Sequence, residues 1–212
     1  MVSRMDVELI DTMGSDLTVV NSARVSFNKR KEVLDDRDIR LISYLGKHKH
    51  ISPFGHCFAT FRCRAPIFVA RQLVKHKFLR WNEVSRRYVN EAPEFHTPVL
   101  RKQAEDKKQG SGGELTNHIC DEVIRHACIE AGKQYTYLLK MGVCEEQARM
   151  ILPQNTMTEW YWSGSLDAFA DMVKLRIKGD TQYETQLLAK KVNDFMSDSF
   201  PYSWDALVGS SS

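Results

Sequence analysis

No apolar run in the 212 residues approaches the roughly 18–20 needed to cross a bilayer, so no membrane partner is expected. The longest short stretch, Pro66-Ile67-Phe68-Val69-Ala70, is stopped by Arg71. The opening residues, MVSRMDVELIDTMG, hold no apolar segment of signal-peptide type. Cysteine is scarce: there are five, an odd count, with no paired CxxC. That predicts free thiols in a reducing compartment, the cytoplasm or, for a viral protein, the host cytoplasm. No GxGxxG, GxxxxGKS/T or GxSxG occurs. A Rossmann dinucleotide fold, a P-loop and an α/β-hydrolase are therefore unsupported.

What is present is ordinary globular material. Apolar residues make up 42% and charged residues 27%, which argues against disorder, collagen or a coiled-coil rod. The size suits one domain over 1–212. The polar, glycine-ended stretch 101–113 reads as a surface loop, and 208–212 as a frayed tail. The net charge is only +3, yet residues 71–87 (RQLVKHKFLRWNEVSRR) carry six cations against Glu83 alone. The rest of the chain is thus slightly acidic. Positive charge concentrated in this way predicts an anionic partner.

Periodicity predicts a helix over 36–49, from Ile39, Ile42 and Leu45. Over 57–64 the period changes to two. Cys57, Ala59, Phe61 and Cys63 share one face, as expected of a half-buried strand with core cysteines. Pro66 suits the first turn of a helix with an apolar Ile67, Ala70, Val74 stripe and with Arg71 and Lys75 stacked at i, i+4 on another face. The segment EVSRRYV reads as extended, with Glu83, Ser85 and Arg87 on one side. Further helices are expected over 114–141, 145–152, 165–178 and about 181–198, with Ser165 as a possible N-cap and Gly142 and Gly179 at C-terminal ends. The sum is α+β: one domain, a mixed or antiparallel sheet packed with several helices.

Lysines and arginines at the spacings of 71–87 grip phosphates, and arginine does so bidentately. A solvated helix face and a single-strand nucleic-acid groove are the competing readings. One short stripe on an otherwise acidic chain is a small footprint for nucleic acid. His76, between two lysines, should stay neutral. Arg149 and Arg176 lie in apolar helical patterns and are either snorkelling or paired in a pocket. His118, Cys120, His126 and Cys128 lack the i, i+4 spacing that lets one helix hold zinc, so no metal is expected.

At these residues the chain resembles a family. The flavin-dependent thymidylate synthases carry RHR-x7-S within a longer RQ…RHR…NE.S.RY. Here the run is Arg71-Gln72, then Lys75-His76-Lys77, seven residues, and Ser85, with Asn82-Glu83 and Arg87-Tyr88 at matching offsets. SARVSF (22–27), ISPFGH (51–56), APIFVARQ (65–72), ARMILP (148–153) and the WYW-SGSL-AF-KLR run (160–176) look like family blocks in family order. The likeness covers about 7–200. Lysines at 75 and 77 replace the two signature arginines, and Ser165 and Asp171 stand where many members have asparagines.

The resemblance implies a homotetramer with active sites shared between subunits. It implies that dUMP, methylenetetrahydrofolate and NADPH yield dTMP through FAD, with no enzyme nucleophile. It places Arg71, Gln72, Lys75, Glu83, Val84, Ser85, Arg86, Arg87, Arg149 and Arg176 around dUMP, with Arg176 as the catalytic cation. A cation at the N3/O2 edge of uracil stabilises the charge that makes C5 nucleophilic. Around FAD it places Ser26, Ser52, Lys75, His76, Lys77, Glu83, Ser165 and Asp171. Small molecules, and neither nucleic acid nor membrane, are the implied partners. A non-catalytic nucleotide- or single-strand-binding protein and an unrelated flavin reductase are the alternative readings.

Overall fold

The computed structural model describes residues 4–105 and 110–209. Four strands, β1 (Asp6–Met13), β2 (Phe58–Pro66), β3 (Leu79–Glu83) and β4 (Met157–Ser165), form one antiparallel sheet in the order β1-β2-β4-β3. Among the described residues eight helices accompany it: α1 (Asp16–Arg24), α2 (Asp36–Lys47), α3 (Ile67–Leu73), α4 (His118–Lys140), α5 (Glu145–Ala148), α6 (Leu166–Arg176), α7 (Tyr183–Ser199) and α8 (Pro201–Trp204). The expected α+β domain is present, and its sheet is wholly antiparallel.

The alternation in β2 does what period two requires. Cys57, Ala59, Phe61, Cys63 and Ala65 are buried, because β2 lies between β1 and β4 with one face turned to the helices. Phe61 meets Phe169 of α6 edge-on at 5.1 Å, and Phe169 meets Trp162 of β4 at 5.3 Å. Each such ring, fully buried, contributes about 2–3 kcal/mol relative to exposure. Burial pushes the Cys57 thiol up to about 11 and raises that of Cys63 as well. Both are therefore inert core residues, as the alternation predicts.

The inward positions expected for α6, Leu166, Phe169, Met172 and Val173, are all buried. In α2 the Asp35 side chain accepts from the Arg37 and Asp38 backbone N–H groups and caps the helix. Fully buried Asp38 pairs with Arg24 and Lys31, which ties the segment between α1 and α2 to both helices.

Several local expectations are corrected. Pro66 is the last residue of β2 and the N-cap of α3, one position before the first turn. The helix α3 ends at Leu73, leaving Val74 exposed and Lys75 in a turn, so the stripe and the Arg71–Lys75 stack do not extend that far. The chain must reverse there: the His76 N–H bonds to the Leu73 carbonyl, and Phe78 takes φ 65°. The extended segment sits earlier than expected. β3 stops at Glu83, and residues 85–88 turn, with the Ser85 Oγ and carbonyl accepting from the backbone N–H groups of Arg87 and Tyr88. Glu83, Ser85 and Arg87 therefore do not form one strand face.

The long helix begins at His118 under an Asn117 cap rather than at 114. The segment 145–152 is one α turn followed by a 3-10 turn over Arg149–Ile151. Part of the 101–113 segment, 106–109, and residues 210–212 of the tail lie outside the described residues. Val208 and Gly209 belong to a helical turn, Asp205–Gly209.

Candidate active site

Where β3 ends and β4 begins, a cleft of about 480 Å³ opens between the start of α3 and the α5 region. Register explains the location. Glu83 pairs with Trp160, Pro66 with Met157, and the Val84 N–H bonds to the Glu159 carbonyl. The end of β3, the start of β4 and the start of α3 are therefore neighbours. Arg71, Glu83, Val84, Arg86 and Arg149, all expected around the nucleotide, line this cleft, with Glu146 and Thr158.

Among the described residues Arg71, Arg86 and Arg149 have no carboxylate within 4 Å. The Arg149 Nε–H donates to the Glu146 carbonyl at 3.3 Å, and Arg86 donates to the Glu91 carbonyl at 2.9 Å. Each keeps guanidinium hydrogens for a ligand. Three such cations, from α3, the 85–88 turn and the segment after α5, line one cleft, and guanidinium groups are suited to gripping phosphate bidentately.

Glu83 accepts from the Trp81 indole N–H at 3.0 Å and from the Thr158 hydroxyl at 2.7 Å. It does not order Arg87, whose Nε lies 3.5 Å from Glu146. Glu146, Trp81 and Thr158 are additions that sequence reasoning did not select. Thr158 and Glu146 reach Glu83 and Arg87 only through the fold, whereas Trp81 is two residues before Glu83 on the same strand.

A second cluster forms behind α3. The Arg176 Nε–H donates to His76 Nε2 at 2.9 Å, and Nη2 donates to the Gln72 carbonyl at 2.9 Å. The Gln72 carboxamide is itself engaged by α7, donating to Gln182 at 2.5 Å and accepting from Thr185 at 3.2 Å. Arg176 and Gln72 also line a cavity of about 380 Å³ with Lys178 and Asp180. Burial, and then the Arg176 charge, push His76 down to about 4, against the opposing pull of Asp171. Accepting at Nε2 assigns its proton to Nδ1. Burial also lowers Arg176.

The folded His76 binds fewer protons than the unfolded one between about pH 6.5 and 4, so stability falls as pH drops through that window. We expect the wild type to lose about 2 kcal/mol more than His76→Gln between pH 7 and 4.5 in urea titrations. Equal losses would contradict the buried, neutral state.

The other residues expected around a flavin divide by position. Leu79 pairs with Gly164, which sets the exposed Lys75–Lys77 turn beside Ser165 at the head of α6, with Asp171 one helical stretch on. Ser165 stands at the N-cap position without a side-chain cap bond. Ser52 opens the 3-10 turn Ser52–His56, whose neighbour Cys57 bonds through its carbonyl to the Leu166 N–H. Ser26 is exposed on the 3-10 turn after α1. Glu83 is at the far end of β3, about 13 Å along a five-residue strand. Lys75 and Lys77 have no carboxylate within 4 Å among the described residues. Two such unpaired cations in one exposed turn, with Ser165 close by in the ladder, suit an anionic group such as the pyrophosphate of a flavin dinucleotide. Arg176 and the cleft arginines line different cavities with no lining residue in common, although Arg71 of one directly precedes Gln72 of the other.

Residues 8–202 match the family model described as thymidylate synthase complementing protein. The chain is 38% identical over 201 residues to a flavin-dependent thymidylate synthase of Thermus thermophilus, covering 94% of this chain and 74% of that one. It is 36% identical over 202 residues to that of Thermotoga neapolitana, covering 95% and 90%. The fold is similar, with TM-score 0.89, 30% identity and 98% and 96% coverage, to a crystal structure of the UMP/dUMP methylase PolB from Streptomyces cacaoi bound with 5-Br dUMP.

Proposed function

This chain belongs to the flavin-dependent thymidylate synthases, and from that premise we propose how its residues divide the conversion of dUMP to dTMP. The observation that carries the reading is the cleft whose Arg71, Arg86 and Arg149 have no carboxylate partner among the described residues. A nucleotide phosphate supplies the missing anion. Val84, Ser85 and the backbone at Arg86 complete the cradle, and Arg87, steered by Glu146, stands at its rim. Arg176 supplies the cation at the pyrimidine N3/O2 edge, where negative charge must build before C5 attacks the one-carbon unit. Neutral His76 and the Gln72 carbonyl hold that guanidinium in place. Lys75, Lys77, Ser52, Ser165, Asp171 and Ser26 would hold FAD, while Glu83, at the other end of β3, faces the nucleotide. Bound FAD, reduced by NADPH, would supply the hydride that completes the methyl group. Methylenetetrahydrofolate supplies the carbon and leaves as tetrahydrofolate.

That Arg176 lines a different cavity from Arg71, Arg86 and Arg149 supports a site completed by another copy of the chain. So does α4, a 23-residue helix with only Cys128 and Tyr135 buried, on which Ile119 and Val123 are 77% and 64% exposed. Apolar residues at helical spacing left in solvent call for a protein partner, and a homotetramer with shared sites meets both needs. One domain over the whole chain is part of the same proposal. No helix among the described residues is long and apolar enough to cross a membrane.

The test is dTMP formation from dUMP, methylenetetrahydrofolate, NADPH and FAD, with each omitted in turn. Product that requires all four is the expected result. UMP is run in parallel because the structurally similar PolB is a UMP/dUMP methylase. Nucleotide binding without product would overturn the catalytic reading, and flavin reduction indifferent to dUMP would indicate a reductase.

A further inference from the structure

We propose that Trp81 and Thr158 are positioning residues that hold the Glu83 carboxylate away from the cleft arginines and aimed at the ligand. The inference rests on the reading of the cleft as the nucleotide site. Each Glu83 oxygen has its own donor: Oε2 takes the Trp81 indole N–H at 3.0 Å, and Oε1 takes the Thr158 hydroxyl at 2.7 Å. The donors come from two strands. Trp81 is two residues before Glu83 on β3 and shares its face. Thr158 is on β4, close to where Glu83 pairs with Trp160.

Neither donor is free to drift. The Trp81 ring stacks on the Trp160 ring at 4.4 Å and 17°, and meets Trp162 edge-on at 5.8 Å. Thr158 is fixed in the ladder opposite Ala65. The strand pairing thus presents two hydrogen-bond donors at a set spacing, and a single carboxylate bridges them.

The reason for such a bridge lies in its surroundings. Glu83 shares the cleft with Arg71, Arg86 and Arg149. An exposed glutamate on three free torsions would turn to the nearest guanidinium, and an arginine paired in that way is a poorer phosphate ligand. Among the described residues Glu83 makes no ion pair of 4 Å or less. The clamp therefore keeps the arginines available for an anion. It also leaves the second lone pair of each carboxylate oxygen to accept from a ligand N–H or O–H.

The experiment uses the FAD-loaded protein and a double-mutant cycle with dUMP as the probe. Thr158→Val removes a hydroxyl at nearly constant volume, and Trp81→Phe removes the N–H while keeping an aromatic stack. Each should raise Kd and KM for dUMP about 10-fold, with kcat lowered less and the far-UV spectrum unchanged. Thr158→Ser should restore most of the affinity. In a Glu83→Ala background neither change should have a further effect, which a purely structural contribution would not satisfy.

Additive effects, or wild-type dUMP affinity in both Thr158→Val and Trp81→Phe, would overturn the inference while leaving the site assignment intact. If Glu83→Ala itself left dUMP affinity and turnover unchanged, the assignment of Glu83 to the site would fall, and the inference with it. Should Trp81→Phe fold poorly, Thr158→Val with its serine rescue decides alone.

Discussion

Arg176→Ala should lower turnover by about 100- to 1,000-fold, the loss typical of removing one charge-stabilising donor from a reaction centre. The guanidinium is held by two acceptors whose own positions are set by the fold: His76 Nε2 and the Gln72 carbonyl, each at 2.9 Å. Both bonds use nitrogens on one side of the fork, which leaves Nη1 and the second Nη2 hydrogen for a ligand. The effect should fall on kcat, since the charge it stabilises exists mainly after the ground state. Bound FAD, measured by absorbance, should remain. A second readout follows from the His76 environment. The Arg176 charge helps to depress that imidazole, so its removal should raise the His76 titration toward the ordinary 6.5, visible by NMR. Turnover within threefold of wild type would mean that another cation has the role.

Arg149→Ala should weaken dUMP binding by about 10- to 100-fold, the value of one charge-assisted hydrogen bond to phosphate. Its own structure predicts little cost to the fold. The side chain is exposed and, among the described residues, its hydrogen bond is to the Glu146 carbonyl at 3.3 Å. Thermal stability without ligand should therefore stay near wild type, while the stabilisation produced by added dUMP shrinks. Arg149→Lys should fall between the two, because the charge survives and the planar fork does not. Deoxyuridine, which lacks the phosphate, should bind wild type and Arg149→Ala alike. An unchanged dUMP Kd in Arg149→Ala would remove this residue from the phosphate site.

Much of the helical part of the fold can be read from the residues, and the sheet only in its centre. The β2 alternation is clean because that strand has a neighbour on each side and one face toward the helices. In β1 the register shifts between Leu9 and Asp11, which breaks period two in a strand already mostly exposed. β4 carries Trp160, Tyr161 and Trp162 in succession, so both faces look apolar and no alternation can be seen. β3 is short and charged, and its place is set by the reversal at Phe78 rather than by any pattern of its own. Gly142 does close α4, with φ 86°. That helix shows its apolar positions in sequence, but which surface they cover is not written in a single chain.

The site divides along the same line. Arg71, Glu83, Arg86 and Arg149 belong together through the strand ladder, and charge density pointed to most of them. Arg176 drew attention as a cation in an apolar helical pattern. Its partnership with His76, a hundred residues away, has no local signature. Thr158 and Glu146 have no local signature for a related reason: each acts through a contact that only the folded chain creates.

Among the described residues β3 lies at the edge of the sheet, bonded to β4 alone along five residues. The lysine turn hangs from its first residue, and the arginine cleft from its last. Anything that pins one end makes it costlier for the strand to peel away, and so favours whatever needs the other end in place. Two ligands seated at opposite ends would thus raise each other's affinity by equal factors without touching. The order of binding would then change the kinetics and leave the final state the same. A short edge strand is in this sense a lever with two handles.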